Sequence, residues 1–156
     1  MGTISIIAIA ACLLQVTVAV YTRRAFPTFD LPLIVLVFFS FRSGTRRGFA
    51  LGIVVGIVNA FFTIAPFWLT VFLYAGIGAA VGAVSRWFYR ESLFAFIFLV
   101  ACSGLFLYLV GAFIGPAHPF ANIGIADYLG RLILPAALYN ALASLFIFYF
   151  LKAMRV

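Results

Sequence analysis

The sequence predicts an all-α membrane protein, built as a single bundle of six transmembrane helices. Of its 156 residues, 67% are hydrophobic and only 8% are charged, and the mean hydropathy is +1.28. A soluble domain carries about a quarter charged residues, so this chain cannot cover a water-exposed globule with polar side chains. Each membrane-spanning helix needs about 20 residues. The length therefore predicts one integral membrane domain over residues 1–156.

Basic and proline-containing segments separate the apolar runs and so place the six spans. Asp30 is the predicted N-cap of the second run, where Pro32 is tolerated in the first turn. This run is short for a crossing at about 1.5 Å per residue. It therefore extends backwards, tilts little or sits partly protected inside the bundle. The predicted spans cover residues 3–21, 30–41, 48–64, 66–86, 93–114 and 128–151.

The third span carries a narrow face of glycine and asparagine. Gly48, Gly52 and Gly56 recur every four residues, and Asn59 follows them. At about 100° per residue, the last three lie roughly 40°, 80° and 20° around the helix axis from Gly48. Glycine lets a second helix approach closely in lipid. We therefore predict that this face packs against another helix, on which Asn59 needs a polar partner.

The fourth span offers a matching row of small residues. Ala75, Ala79 and Ala83 are four residues apart, beside Gly78 and Gly82. The turn before this span is short and uncharged, so spans three and four are predicted to form an antiparallel hairpin. The predicted helix-packing residues are Gly48, Gly52, Gly56, Asn59, Ala75, Ala79 and Ala83.

The last span is predicted to kink at Pro135, because the proline ring opposes the carbonyl group of Arg131 four residues earlier. At its start, Asp127 is expected to cap the helix and to pair with Arg131. Small and polar residues recur beyond the kink, and we predict that this face is exposed and binds a partner. The candidate partner-binding residues are Pro135, Ala136, Tyr139, Asn140 and Ser144.

The net charge of +7 indicates membrane orientation rather than nucleic-acid binding, because the basic residues flank the apolar runs. With a cytoplasmic N-terminus, seven basic residues fall in cytoplasmic segments and three in outer segments. The excess predicts that both termini are cytoplasmic, as is the basic loop of Arg42, Arg46 and Arg47. The other cytoplasmic residues are Arg86, Arg90, Lys152 and Arg155, and the outer ones are Arg23, Arg24 and Arg131.

The sequence offers no catalytic, cofactor-binding or metal-binding site. Its three carboxylates, Asp30, Glu91 and Asp127, lie near span ends, so paired acids for general acid–base catalysis are missing. Cys12 and Cys102 fall inside apolar runs without metal-ligand spacing. No nucleophile has a base nearby, and no ring of charges indicates an ion channel. These observations predict a protein that is not an enzyme.

Three segments follow one another in a specific order within residues 25–150. An acid opens a short span at 30–37, a basic loop leads into the glycine segment 47–56, and 134–141 contains a Leu-Tyr-Asn sequence. In this order they resemble the rod shape-determining protein MreD, a family of the bacterial inner membrane. Members often have an aspartate where this chain has Asn59. The pairing at Asn59 is therefore expected to be a neutral hydrogen bond or to be absent.

The resemblance implies a non-enzymatic scaffold or regulator of the cell-elongation complex, required for rod shape and lateral peptidoglycan synthesis. The implied partners are MreC, the MreB filament system, and RodA with its penicillin-binding transpeptidase, together with the lipid bilayer. The six-helix plan is also similar to that of the S-components, the substrate-binding subunits of energy-coupling-factor vitamin transporters. Such a subunit is the alternative function, and it predicts an outward pocket near the short second span and the fifth loop.

Overall fold

The computed structural model describes residues 30–63, 65–88, 92–114 and 133–153, together with Ala10, Leu14 and Gly130. This part of the chain is helical and contains no strand, which confirms the predicted all-α class for these residues. The predicted first span, 3–21, lies outside the described residues except for Ala10 and Leu14. The helices are α1 Leu31–Ser43, α2 Thr45–Ala60, α3 Phe67–Val84, α4 Leu93–Ile114 and α5 Leu134–Ala153.

Two of the described helices are long and apolar enough to cross a membrane, namely α3 and the Leu93–Val110 part of α4. The apolar helices Leu31–Ser43 and Leu134–Phe150 are shorter. With 13 residues, α1 is roughly 20 Å long, against a hydrocarbon layer of about 30 Å. The described helices therefore do not support six spans by length and composition alone.

Helix α1 forms the core against which the other four described helices pack. Asp30 caps it as predicted, because its Oδ1 accepts a hydrogen bond from the Leu33 backbone N–H at 3.1 Å. Every residue from Pro32 to Phe41 is buried, as expected for a helix that is apolar on all sides. Of the three alternatives for this short segment, the structure shows burial inside the bundle.

The outer helices form two antiparallel pairs, α2 with α3 and α4 with α5. In the second pair, Phe96 meets Phe148 while Gly104 lies beside Asn140. The ring of Phe38 on α1 makes edge-on contacts with Phe96 and Phe148, with centroids 5.7 and 5.9 Å away. These contacts hold α1 against the second pair. By contrast, α3 and α4 contact each other only slightly.

Backbone-to-backbone contact fixes the first pair. A Cβ atom at Gly52 would lie 2.7 Å from the Cα atom of Ala75, and one at Gly56 would lie 2.8 Å from the Cα atom of Val71. Gly48 and Gly78 approach so closely that a Cβ atom on either would overlap the carbonyl oxygen of the other. The spacing between α2 and α3 therefore requires glycine, as small-residue packing of membrane helices does.

The contact row on α3 differs from the predicted row of alanines. Residues four apart drift around the helix axis, by about 80° over two steps. The predicted row therefore turns away from α2, and Ala79 is only half-buried while Ala83 is exposed. Of the three predicted alanines, only Ala75 lies in the contact. The observed row alternates steps of four and three residues, which keeps it on one face, and consists of Val71, Ala75, Gly78 and Gly82.

A single residue, Gly44, joins α1 to α2. Its φ of +84° lies in the left-handed region that favours glycine, and its N–H donates to the carbonyl oxygen of Ser40 at 3.0 Å. The predicted basic loop is therefore mostly helical. Arg42 lies in the last turn of α1, whereas Arg46 and Arg47 lie in the first turn of α2, and all three are exposed.

The α-helical part of the last span, α5, begins at Leu134, so Pro135 lies in its first turn. Gly130 and Ile133, before it, have π-helical geometry, which is typical of a local irregularity in a helix. The predicted kink at Pro135 depends on Arg131, which falls outside the described residues, and it stays a prediction. The predicted roles of Asp127 and Arg131 fall outside the described residues.

Candidate functional site

Polar side chains from four helices meet at one end of the bundle. The Asn59 amide on α2 donates from Nδ2 to the Tyr74 hydroxyl on α3 at 2.6 Å. That hydroxyl donates to Oδ2 of Asp30 at 2.7 Å. The backbone N–H of Asp30 donates to Oδ1 of Asn140 on α5 at 2.9 Å. We call Asp30, Asn59, Tyr74 and Asn140 the polar cluster, which ties both helix pairs to the start of α1.

The glycine face positions the first half of this cluster. A Cβ atom at Gly56 would lie 3.3 Å from the Cβ atom of Tyr74, so the close approach of α3 brings the tyrosine hydroxyl within reach of Asn59. The prediction that Asn59 needs a polar partner on the approaching helix is confirmed. Of its two expected alternatives, the neutral hydrogen bond is the one present.

Burial makes the polar cluster energetically demanding. Tyr74 is 1% exposed and Asn140 is fully buried, whereas Asp30 and Asn59 are half-buried. In the described part of the chain, the Asp30 carboxylate has two neutral partners, the Leu33 N–H and the Tyr74 hydroxyl. A carboxylate offers about four acceptor positions. It therefore retains capacity for further donors.

One donor of the polar cluster has no partner among the described residues. Because Oδ1 of Asn140 accepts from the Asp30 N–H, the orientation of the amide is fixed and its Nδ2 points elsewhere. This buried Nδ2 forms no hydrogen bond with the described chain. A Cβ atom at Gly104 would lie 3.6 Å from it. Gly104 therefore leaves room beside this donor. A buried donor without a partner costs about 1–3 kcal/mol of stability.

Comparison with known proteins assigns no family to this arrangement. No protein-family model matches the chain, and no curated protein or solved structure does.

The predicted partner-binding face of the last span turns inward. Ala136 is 3% exposed, and Asn140 and Ser144 are fully buried. The prediction that these residues form an exposed face is therefore wrong, because small and polar side chains occupy the inside of the bundle. Of the remaining candidates, Tyr139 is exposed and Pro135 is half-buried.

Large apolar side chains cover the outside of the described helices. Phe72 on α3 is 73% exposed, Phe94 on α4 is 82% exposed and Phe146 on α5 is 81% exposed. Soluble monomers rarely expose apolar patches larger than a few hundred Å². Polar side chains inside and phenylalanine outside are the arrangement expected of helices in contact with lipid.

A groove of about 420 Å³ lies between α3 and α4, and we call it the α3–α4 groove. Gly76 and Ala80 line it from α3 and are exposed, and a Cβ atom at Gly76 would meet nothing within 4 Å. Ser103 lines it from α4 and is 8% exposed. Its hydroxyl forms no hydrogen bond within the described chain. The small size of Gly76 therefore serves no contact among the described residues.

The sequence carries a signal for the role of Tyr74. It is the only tyrosine in the apolar run that became α3, and it directly precedes Ala75 of the small-residue row. A buried tyrosine hydroxyl needs a hydrogen-bond partner, so its position beside the glycine face predicts a polar contact. For Asn140 and Gly104, no local pattern indicates that they meet.

Proposed function

We propose that the chain is a non-enzymatic scaffold of the bacterial cell-elongation complex, a six-helix membrane bundle of the MreD type that binds MreC. The observation that carries the proposal is the α3–α4 groove, an open small-residue surface suited to another membrane helix. The resemblance of segments 30–37, 47–56 and 134–141 supports it. On the same basis, MreB filaments and RodA with its transpeptidase belong to the assembly.

The described arginines support an orientation in the inner membrane. Gly82 packs against Gly44, which brings Arg86 to the end of the bundle that carries Arg42, Arg46 and Arg47. The positive-inside rule makes this end cytoplasmic, and the polar cluster then lies at the outward end.

The two tryptophans support a membrane-spanning position for α3. Trp68 lies in its first turn and Trp87 lies three residues after its last residue, and they are 67% and 86% exposed. The helix has 18 residues, roughly 27 Å, close to the hydrocarbon thickness of about 30 Å. Tryptophan is enriched at both membrane interfaces, so this spacing supports a helix that crosses the bilayer.

The α3–α4 groove replaces α5 as the docking face for the membrane helix of MreC. The opposite face of α3 already packs on α2 through glycine, and the groove presents Gly76 and Ala80 in the same way. Ser103 adds a hydroxyl that a polar group on the incoming helix satisfies. A partner helix therefore gains both close approach and a hydrogen bond.

Two alanine-to-leucine variants on α3 test this proposal. Ala80 and Ala83 are both exposed, but only Ala80 lines the groove. In a rod-shaped host, Ala80→Leu is expected to reduce the MreC recovered on mild detergent purification and to round the cells. Ala83→Leu is the matched control and leaves both unchanged. Rods that persist after depletion of the protein, with no MreC recovered alongside it, would overturn the proposal.

The alternative function is a vitamin-binding subunit of an energy-coupling-factor transporter. The polar cluster favours it, because this cluster lies at the start of the short second span, where an outward pocket is expected. Nδ2 of Asn140 there has no partner among the described residues. Mass spectrometry of the gently purified protein tests it. A stoichiometric vitamin would support the transporter subunit, and its absence at saturating supply would reject it.

A further inference from the structure

The Asp30 carboxylate is held more firmly than capping requires. One oxygen suffices for the N-cap, and Oδ1 fills that role with the Leu33 N–H. The other oxygen, Oδ2, is fixed separately by the hydroxyl of Tyr74, which Asn59 holds in turn. A hydrogen-bond chain from two further helices, in which Asn59 donates to Tyr74 and Tyr74 donates to Oδ2, thus orients an oxygen that the cap does not use.

The charge of this carboxylate is not balanced within the described chain. Its two partners there are neutral, and the described arginines lie at the opposite end of α1, a helix of 13 residues or roughly 20 Å. An acid withdrawn from water costs free energy unless a cation or several donors compensate it. Asp30 as a whole is half-buried and lies at the end of the bundle.

The rest of the polar cluster points to the same incompleteness. Asn140 is fully buried, and its Nδ2 has no hydrogen-bond partner in the part of the chain that the structure describes. The cluster therefore contains both a carboxylate with spare acceptor positions and an unused amide donor. Its hydrogen-bonding capacity exceeds what the described chain uses.

We propose that the Asp30 carboxylate, positioned by Tyr74 and Asn59, binds one lysine or arginine side chain of the partner protein at the outward end of the bundle. Either cation fits, since an ammonium or a guanidinium donates to both carboxylate oxygens. The inference rests on the proposed function, because it takes MreC as the partner. It adds a polar anchor to the apolar contact in the α3–α4 groove.

Asp30→Asn is the decisive variant, because asparagine keeps an oxygen for the N-cap of α1 and removes the charge. Its Nδ2 replaces Oδ2, so the Tyr74 hydroxyl can accept from it but no longer donates to it. We expect a smaller drop in the thermal midpoint of the purified protein than Tyr74→Phe causes, and a loss of MreC recovery of about tenfold or more. Tyr74→Phe keeps the charge but releases Oδ2, so its loss of recovery is smaller. Full recovery of MreC with Asp30→Asn would overturn the inference.

A charge exchange separates binding from folding. Asp30→Lys is combined with single Lys/Arg→Asp changes placed along the outward membrane-flanking part of MreC. One such change is expected to restore recovery, which a merely structural role of Asp30 would not allow. If none restores it, the inference is rejected.

Two further outcomes locate a failure. The cation belongs to this chain if the loss of MreC recovery caused by Asp30→Asn is reproduced by Arg23→Gln, Arg24→Gln or Arg131→Gln. That result would overturn the inference, while the proposed function stands. If the unaltered protein recovers no MreC, the proposed function fails and the inference fails with it.

Discussion

Adding a single methyl group at Gly52 tests whether backbone contact between α2 and α3 sets the stability of the fold. The new Cβ atom would lie 2.7 Å from the Cα atom of Ala75 and would overlap the carbonyl oxygen of Tyr74. Carbon atoms prefer about 3.5–4.0 Å. Because both neighbours are backbone atoms, no side-chain rotation relieves the overlap, and α3 must move away by roughly 1 Å.

Two contributions set the expected loss in the free energy of unfolding. Overpacking of this kind costs about 1–3 kcal/mol. The displacement of α3 also weakens the hydrogen bond between Asn59 and Tyr74, which contributes about 1 kcal/mol. Alanine is a better helix former than glycine by up to about 1 kcal/mol, so a control must carry the same gain.

Gly76→Ala is that control, because a Cβ atom there meets nothing within 4 Å. Both variants gain the same helix propensity, so it cancels when their free energies of unfolding are compared. Gly52→Ala is then expected to be less stable than Gly76→Ala by about 2–4 kcal/mol. Unfolding in mild detergent micelles, titrated with a denaturing detergent and followed by circular dichroism, measures this difference. Equal unfolding midpoints for Gly52→Ala and Gly76→Ala would refute the close backbone contact.

Two further predictions concern the polar cluster. At Gly104 an added Cβ atom makes ordinary contacts, 3.6 Å from Nδ2 of Asn140. Gly104→Ser supplies the missing acceptor, so its free energy of unfolding should exceed that of Gly104→Ala by about 1 kcal/mol. Equal free energies for the two variants would contradict an unsatisfied amide. Tyr74→Phe removes two hydrogen bonds and should cost about 2–4 kcal/mol. In that background Asn59→Ala should cost about 1 kcal/mol less than in the unaltered protein, and full additivity in the unfolding assay would contradict the chain of bonds.

The sequence predicts the local features of this fold better than the contacts between distant segments. The cap at Asp30 and the glycine face around Gly52 follow from neighbouring residues, so the pattern alone reveals them. The polar cluster joins residues separated by 44 and 110 positions. No spacing rule brings Tyr74 or Asn140 to Asp30, because tertiary packing decides which helix faces meet.

The error at α5 has a specific physical cause. A face of small and polar residues predicts a docking surface for a partner helix, and this reasoning assigned Asn140 and Ser144 to an exposed surface. In lipid, such a face serves packing within the chain equally well, since polar groups find partners inside the bundle. The exposed side of α5 instead carries large residues such as Leu138 and Phe146, which are 59% and 81% exposed. Hydropathy cannot separate the two sides when both neighbours, lipid and core, are apolar.

The glycines of α2 and α3 fall into two groups, those that pack on a neighbouring described helix and one that does not. Glycine weakens a helix by about 1 kcal/mol unless close packing compensates it. Gly48, Gly52 and Gly56 are compensated, because α3 occupies the space that their side chains would fill. Gly76 has no such neighbour among the described residues and faces the α3–α4 groove beside Ser103. A second helix in this groove would supply the missing compensation, and for this reason the proposed function assigns the partner to α3.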